Sequence, residues 1–331
     1  MKPESQKAKW IEDRSLLLKM FDKHKRDDDK WDGLLKELIP YLDKNKALKN
    51  TPFDGIDEII SKTLVNTWRL RIPECRYSGN GKKSEEEVVV HITDAHCGKV
   101  NYWTNPDTMQ SIKTYDVEIF KNTAQTLLNK IAEIVRLHRT THTIKKLHLF
   151  MTGDLLENDR IFEGQQFLID MCVGEQLWTA TTTFVDMVNA LLAFVEEIEI
   201  HIVPGNHGRT NLKRGSEPVQ NSFEYHLARQ MDLIFRNTKR VTVHIPTSWF
   251  HMAHIRGHKY MLDHGDRNFS WMSIPYYGIQ RKAQATVIEM KFDYEIIGHF
   301  HFDLIVPISK EIRVVVGSCW PENEEVLWGI A

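Results

Sequence analysis

The side chains best suited to chemistry stand in five short clusters, and each cluster follows a run rich in β-branched residues that predicts a strand. The clusters are DAH at 94–96, GDLLE at 153–157, GNH at 205–207, DHGD at 263–266 and GHFH at 298–301. Ligands of open α/β sheets bind beyond the carboxyl ends of the strands, so these side chains should converge on one site. Fifteen of the sixteen histidines follow residue 90, which places the chemistry in the C-terminal three quarters of the chain.

The donor atoms of these clusters are imidazole nitrogens, carboxylate oxygens and an amide oxygen, without a thiolate. This set suits divalent ions, with manganese as the first choice and iron, zinc or magnesium as alternatives. The positions are too many for one ion, so we expect two. The hypothesis places one ion on Asp94, His96 and His301, the other on Asn206, His264 and His299, and Asp154 as a bridge between them. Two ions about 3.5–4 Å apart clamp a phosphoryl oxygen and make a bridging water acidic, which predicts a hydroxide attack at phosphorus.

The order of the clusters is more informative than any one of them. A D-x-H triplet is expected about once by chance in such a chain, but GNH and G-H-x-H have chance expectations of roughly a few hundredths each. The ordered set resembles the five motif blocks of the calcineurin-like metallophosphoesterase superfamily, over about Val88 to Val316. Among its members, GNHGR is most similar to phage-type and Mre11/SbcD-like exonucleases.

The resemblance implies an α/β fold of four layers, α/β/β/α, with two sheets packed between helices. It also implies a dinuclear site with the ligands given above, and a role for His207 as general acid above the metals. In the family an Asp or Glu commonly follows this histidine and orients it, but here the residue is Gly208. Three acids are candidates for the replacement: Glu157, Asp159 and Asp266. Arg209 is expected to neutralise charge in the transition state or to bind substrate.

The chain divides by composition into a helical N-terminal segment at 1–71, a linker at 72–87 and a catalytic domain at 88–331. Within the last, helical spacing predicts helices at 117–137, 167–196, 219–235 and 277–287. The segment 98–115 is expected to form one wall of the substrate groove.

Side chains near the proposed ligands suggest how a substrate would be held. Five cations lie within a few residues of them: Arg160, Arg209, Lys213, Arg214 and Arg267. They are either solvated surface charges or contacts to a phosphate backbone. Six aromatics lie beyond the same strand ends and either stack bases or pack within loops: Tyr102, Trp103, Phe162, Trp271, Tyr276 and Tyr277.

The remaining histidines divide into two groups. Three precede the strand ends and are interpreted as core residues: His91, His148 and His201. Four others belong to strands that lead to His264, and one of them could line the groove: His244, His251, His254 and His258.

Composition limits the function classes. The formal charge of −2 gives no whole-protein basic field, the polar first residues MKPESQKAKW are not expected to act as the apolar core of a signal peptide, and no apolar run reaches membrane-spanning length. Four scattered cysteines suit the reducing cytoplasm. We therefore expect a cytoplasmic nuclease acting on DNA, able to form a homo-oligomer. The alternatives are a nucleotide or small-molecule phosphodiesterase or phosphatase, and a scaffold that lost catalysis, which the complete ligand set disfavours.

Overall fold

A computed structural model describes residues 73–75, 84–212, 217–268 and 275–321. The segment expected to be helical, at 1–71, and most of the linker lie outside the described residues, as do Lys213, Arg214 and Trp271. Within the described ranges, no helix combines the length and the apolar character that crossing a bilayer requires.

The elements alternate between strands and helices in the manner of an α/β protein. The strands are β1 Ser84–Ile92, β2 Asn101–Thr104, β3 Ser111–Tyr115, β4 His142–Met151, β5 Glu197–Ile202, β6 Val241–His244, β7 Phe250–Ile255, β8 His258–Asp263, β9 Tyr294–Ile297, β10 Leu304–Pro307 and β11 Arg313–Val316. The helices are α1 Val117–His138, α2 Val173–Leu191, α3 Phe223–Phe235 and α4 Pro275–Glu289, with short 3₁₀ turns at Gln165–Phe167 and Val219–Asn221.

The first sheet is parallel and has the strand order β1-β4-β5-β6. Side chains along each strand point alternately to the two faces of the sheet. One face packs against α1, α2 and α3 in the largest hydrophobic core. In β4, Leu147, Leu149 and Met151 belong to this core, whereas Phe150 points to the opposite side. Because all four strands run in the same direction, their carboxyl ends meet at one edge of the sheet.

The second sheet has the order β10-β11-β9-β8-β7 and packs against the first. Phe150 and Val203 of the first sheet join Ala253, Leu262 and Ile296 in the core between the two sheets. The outer face of the second sheet is covered by α4, whose Ile279 and Ala283 pack on β9 to β11. The four-layer α/β/β/α fold expected from the sequence is confirmed.

Two helices begin later than predicted, and the helix predicted to end at residue 196 ends at Leu191. The helix predicted from residue 167 begins at Val173, because the backbone at Leu168 and Asp170 pairs instead with Val100 and Gly98. The helix predicted from residue 219 begins at Phe223, where Ser222 caps it by accepting a hydrogen bond from the Tyr225 amide. The segment 98–115, for which no element was predicted, contains the antiparallel hairpin β2–β3.

The second sheet contains a buried acid whose ionisation opposes folding. Glu295 of β9 is 1% exposed. Burial raises its pKa from 4.5 to about 7, although Lys282 lies 3.6 Å away and acts in the opposite direction. The folded chain therefore holds this proton more tightly than the unfolded chain, and this contribution to stability is lost as the pH rises from about 4.5 through 7.

We expect Glu295→Gln to remove the pH-dependent loss of stability that Glu295 causes. When the pH rises from 5 to 7.5, urea unfolding in EDTA should show a smaller fall in the free energy of unfolding for the variant than for the wild type. Glu289→Gln, at an exposed position of α4, is the control. A fall of the same size in Glu295→Gln and the wild type would contradict the prediction.

Candidate metal centre

All five sequence clusters lie where strands end. Asp94, Asp154 and Asn206 follow β1, β4 and β5 of the first sheet, and His264 and His299 follow β8 and β9 of the second. The strand ends of both sheets thus supply one centre. The seven predicted ligands form two neighbouring groups: Asp94, His96 and His301, and Asp154, His264 and His299 with Asn206.

The first group is compact and buried. Asp94 and His96 are both 0% exposed. The Nε2 atom of His301 lies 3.3 Å from Asp94 Oδ1 and 3.2 Å from His96 Nε2. Three potential donor atoms therefore face one another across distances that one ion can span.

The second group is equally enclosed. The Nε2 atom of His264 lies 2.9 Å from Asp154 Oδ2 and 3.0 Å from Asn206 Oδ1. The His299 ring packs against His264 with centroids 5.2 Å apart. The other carboxylate oxygen of Asp154 accepts a hydrogen bond from the backbone amide of His207 at 2.7 Å, which fixes the orientation of the carboxylate.

Hydrogen bonds behind the rings select their tautomers. His96 Nδ1 donates to Glu157 Oε2 at 2.7 Å, and His264 Nδ1 donates to the carbonyl oxygen of Thr152 at 2.7 Å. With a proton on Nδ1, the Nε2 atom of each ring is the nitrogen that faces the centre. This arrangement is typical of metal-ligating histidines, whose other ring nitrogen is bound by a carboxylate or a carbonyl.

The backbone at the centre is strained. Five of the seven predicted ligands adopt the left-handed conformation, with φ of 49° at Asp94, 44° at His96, 49° at Asp154, 72° at His299 and 60° at His301. Such a conformation costs about 1–3 kcal/mol for a residue other than glycine, and clusters of it occur at functional sites. The strain is retained where it turns these side chains into the centre.

Two glycines of the motifs are required by close packing. A Cβ atom at Gly205 would lie 2.0 Å from Asp154 Oδ1, and one at Gly298 would lie 1.9 Å from the Thr93 hydroxyl and 2.3 Å from Asp94 Oδ2. The backbone therefore approaches both carboxylates as only glycine allows.

The centre strongly favours positive charge. Burial opposes ionisation of Asp94, but the hydrogen bond from His301 and the charge of His264 lower its pKa to about 2. Burial likewise opposes the charged form of His301, yet Asp94 and Cys319 raise its pKa to about 10. The pKa of His264 is raised well above its ordinary value by Asp154, again against the effect of burial.

These features fit a divalent metal centre. Asp94 is fully buried, and its Oδ1 atom lies 3.3 Å from His301 Nε2 and 3.8 Å from His96 Nε2, so a cation among these three atoms would take up a carboxylate lone pair. The donors are oxygen and imidazole nitrogen, and the neighbouring Cys97 lies in the hydrophobic core, where burial raises its pKa to about 12 and disfavours the thiolate form. The structure brings the seven side chains together, while their ligation of an ion stays a prediction.

His207 lies at the rim of the centre, with 14% of its side chain exposed. Its Nδ1 donates to the carbonyl oxygen of Glu157 at 2.9 Å, and its Nε2 lies 4.0 Å from Asp154 Oδ2. Of the three acids proposed to orient it, Glu157 is adjacent, with Oε2 3.5 Å from His207 Nδ1, whereas Asp159 pairs with Arg160. Asp266 follows His264 in the loop after β8, and its role stays a prediction.

The sequence analysis missed two residues beside His207. The Nε2 atom of Gln165 lies 3.1 Å from His207 Nδ1 and also donates to the carbonyl oxygen of Glu157. Glu224 of α3 fills the space over Gly208, where a Cβ atom would lie 1.7 Å from Glu224 Oε2. Burial and the charge of Asp154 raise the pKa of Glu224 to about 8, so this acid is mostly protonated at neutral pH.

The predicted substrate contacts occupy different positions. Arg209 is 6% exposed, and its Nε donates to the carbonyl oxygen of Asn206 at 2.7 Å, so it braces the loop that carries Asn206 and His207. Arg160 is exposed beside Asp159, and Arg267 is exposed with its guanidinium 5.6 Å from the Trp249 ring. Their contact with a substrate stays a prediction.

Comparison with known proteins gives only distant similarity. No family model and no curated protein matches the sequence. A wild-type Vps29 from Entamoeba histolytica complexed with zinc is 11% identical, with a TM-score of 0.32 over 70% of this chain and 73% of that chain. A predicted phosphoesterase from Streptococcus pneumoniae is 10% identical, with a TM-score of 0.27 over 71% and 75% of the two chains. A 5'-nucleotidase from Candida albicans is 12% identical, with a TM-score of 0.30 over 74% of this chain and 48% of that chain.

Because these similarities are low, the chemistry of the centre has to be inferred from its own side chains. The particular similarity to Mre11/SbcD-like exonucleases stays a prediction.

The packing of Glu224 over Gly208 can be tested by adding one methyl group. We expect Gly208→Ala to lower the free energy of unfolding by about 1–3 kcal/mol, since the new Cβ overlaps the Glu224 carboxylate. Glu224→Ala in the same chain should recover part of that loss. Gly174→Ala is the matched control, because nothing lies within 4 Å of its Cβ position, and it should leave stability unchanged or slightly higher.

Urea unfolding of the single and double variants measures these changes. Equal stability of Gly208→Ala and Gly174→Ala would show that Glu224 does not fill the space over Gly208.

Proposed function

We propose that this protein is a metal-dependent phosphoesterase with two divalent ions, and that it is a nuclease. The observation that carries the proposal is the buried centre in which five left-handed residues turn carboxylate and imidazole donors toward one another. A chain gains nothing in stability from such strain, so its retention points to a ligand that the donors hold. Two hard or borderline cations match the donors and their number.

The chain would divide the work among named residues. Asp94, His96 and His301 would hold one ion, Asn206, His264 and His299 the other, and Asp154 both. The ions, with manganese as the first candidate, would polarise a phosphoryl oxygen and lower the pKa of a water molecule, so that its deprotonated form is available to attack phosphorus. Glu157 and Thr152 hold the Nδ1–H groups of His96 and His264, so Nε2 is the nitrogen of each ring that would bind an ion.

His207 is assigned the proton transfer to the leaving oxygen. Its Nδ1 is held by the Glu157 carbonyl oxygen, so Nε2 is the atom that holds and releases a proton on the side of Asp154. Gln165 and the ring of Phe162, whose centroid lies 4.8 Å from that of His207, restrict the motion of the imidazole.

The choice of nucleic acid as substrate is supported by exposed aromatic and cationic side chains, of which Phe162 contacts His207 at the rim of the centre. Phe162 is 47% exposed, and in the β2–β3 hairpin Tyr102 and Trp103 are 50% and 40% exposed. Together with exposed Arg160 and Arg267, they combine the aromatic and cationic contacts that single strands use. The cytoplasmic location and the homo-oligomer expected from the sequence also stay predictions.

Two substitutions separate metal binding from proton transfer. We expect Asp154→Asn to lower the number of manganese ions bound per chain and to abolish hydrolysis of bis(nitrophenyl) phosphate. His207→Gln should keep the bound metal and lower turnover by about 10²–10⁴-fold. His258→Gln, exposed at the start of β8, is the control and should keep both. Metal content by mass spectrometry and steady-state turnover are the measurements, and equal metal loss in both variants would overturn the role of His207.

A charge reversal tests the substrate class. If nucleic acid is the substrate, Arg160→Glu with Arg267→Glu should weaken DNA binding and reduce the salt dependence of its affinity by about one phosphate contact per residue. Turnover of bis(nitrophenyl) phosphate should stay unchanged. Cleavage of labelled single- and double-stranded DNA in manganese is followed in parallel, and turnover of the small ester without DNA cleavage would favour the small-molecule phosphodiesterase.

A further inference from the structure

A second group of histidines lies between the two sheets, apart from every predicted ligand of the centre. His201 of β5 stacks on His244 of β6 with ring centroids 4.4 Å apart, and His251 of β7 completes the group from the opposite sheet. We propose that these three residues, the intersheet histidine cluster, form a separate zinc site that fastens the first sheet to the second.

The alternation of β5 explains why a histidine lies there. Ile198, Ile200 and Ile202 face the helices and belong to the core on that side. His201 therefore faces the second sheet, where its ring meets Phe150 with centroids 5.3 Å apart. The cluster thus lies in the interface between the two sheets, where side chains from both sheets pack together.

The nitrogen atoms are already near the spacing of metal ligands. His201 Nδ1 lies 3.1 Å from His251 Nε2, and one nitrogen of each of the three rings lies within 4.8 Å of the others. Two nitrogens bound to a tetrahedral zinc ion at about 2.0–2.1 Å lie about 3.3–3.4 Å apart. The planes of the His201 and His244 rings differ by only 9°, so binding needs His244 to turn out of this stack until its lone pair faces the ion.

His244 can make this movement at little cost. It ends β6, the edge strand of the first sheet, and its side chain is 36% exposed. Its Nε2 is buried and makes no hydrogen bond within the described part of the chain, and the nearest carboxylate oxygen, Glu199 Oε2, lies 3.9 Å away. A tilt toward an ion would give that nitrogen a partner without breaking an existing hydrogen bond.

A carboxylate next to the cluster is shared with a lysine, since Glu199 Oε1 accepts a hydrogen bond from Lys146 Nζ at 2.5 Å. Glu199 Oε2 lies 3.6 Å from His201 Nε2, and Glu87 Oε2 accepts from His148 Nε2 at 2.8 Å. Burial, followed by repulsion from the other histidines, lowers the pKa of His201 to about 2 and that of His251 to about 4. Unprotonated rings are the form that a metal ion binds.

The ligand set selects the kind of ion. Three imidazoles with a carboxylate nearby suit zinc and the neighbouring late transition ions and do not suit magnesium or calcium, which prefer sites made of oxygen. The site would differ from the centre at the strand ends, where two carboxylates and an amide oxygen join the imidazoles. Its ion would act as a cross-link between β5, β6 and β7.

The competing explanation is a relay of neutral rings. In it, His251 Nε2–H donates to His201 Nδ1, and His148 Nε2–H donates to Glu87. This relay stabilises the same packing without an ion, so the number of bound ions decides between the two.

The test compares the wild-type chain of residues 1–331 with a His244→Ala, His251→Ala double variant after chelation and dialysis against zinc. We expect the double variant to bind one zinc ion fewer per chain by mass spectrometry. Saturating zinc at about 100-fold above its Kd should raise the Tm of the wild type by about 5–10 °C more than that of the variant. The His258→Ala control, at an exposed histidine of β8, should match the wild type in both measurements.

If the double variant fails to fold, the single His244→Ala variant still tests the proposal, because the His244 side chain is 36% exposed on an edge strand and its loss should be tolerated. With cobalt in place of zinc, the visible absorption of a tetrahedral nitrogen site should be lost in the single variant and kept in Asp154→Asn. Equal zinc content and equal Tm shifts in the wild type, the His244 variant and the double variant would overturn the proposal in favour of the neutral relay. Because zinc content and Tm are the readouts, this result is independent of phosphoesterase activity.

Discussion

The burial of two neighbouring carboxylates at the strand ends determines what the rest of the centre has to provide. Asp94 and Asp154 are 0% and 1% exposed, and the charge of Asp154 opposes the ionisation of Asp94. Neither can be solvated by water, so each needs positive charge within a few ångströms. His264 and His301 provide it when protonated, and two divalent ions would provide more of it. Every other feature of the centre brings cations and carboxylates together.

The arrangement of these charged side chains lowers the stability of the backbone locally. Left-handed backbone at five donor residues and close approach at Gly205 and Gly298 both work against stability at the strand ends. Two sheets with cores on both sides hold those ends in place, since parallel strands bring their carboxyl ends to one edge. Sites built on such rigid elements keep donors within fractions of an ångström of a binding geometry.

The sequence predicted the centre because its donors follow strands, and strand order determines where they meet. The same reasoning missed Glu224, because an acid in a helix is ordinarily exposed. The helical spacing of the sequence did indicate that Glu224 is buried, because the apolar residues Leu227, Ala228 and Met231 lie on the same face of the helix at i+3, i+4 and i+7. The start of α2 was predicted too early because tertiary hydrogen bonds of Leu168 and Asp170 override helical propensity, and propensity does not contain them.

The central claim is that seven side chains cage two cations around Asp154. A crystal structure with manganese, phased to show anomalous scattering from the metal, tests it most directly. The account predicts two anomalous peaks about 3.5–4 Å apart, each about 2.0–2.4 Å from a carboxylate oxygen of Asp154. A single peak, or peaks that leave Asp154 without an ion, would contradict it.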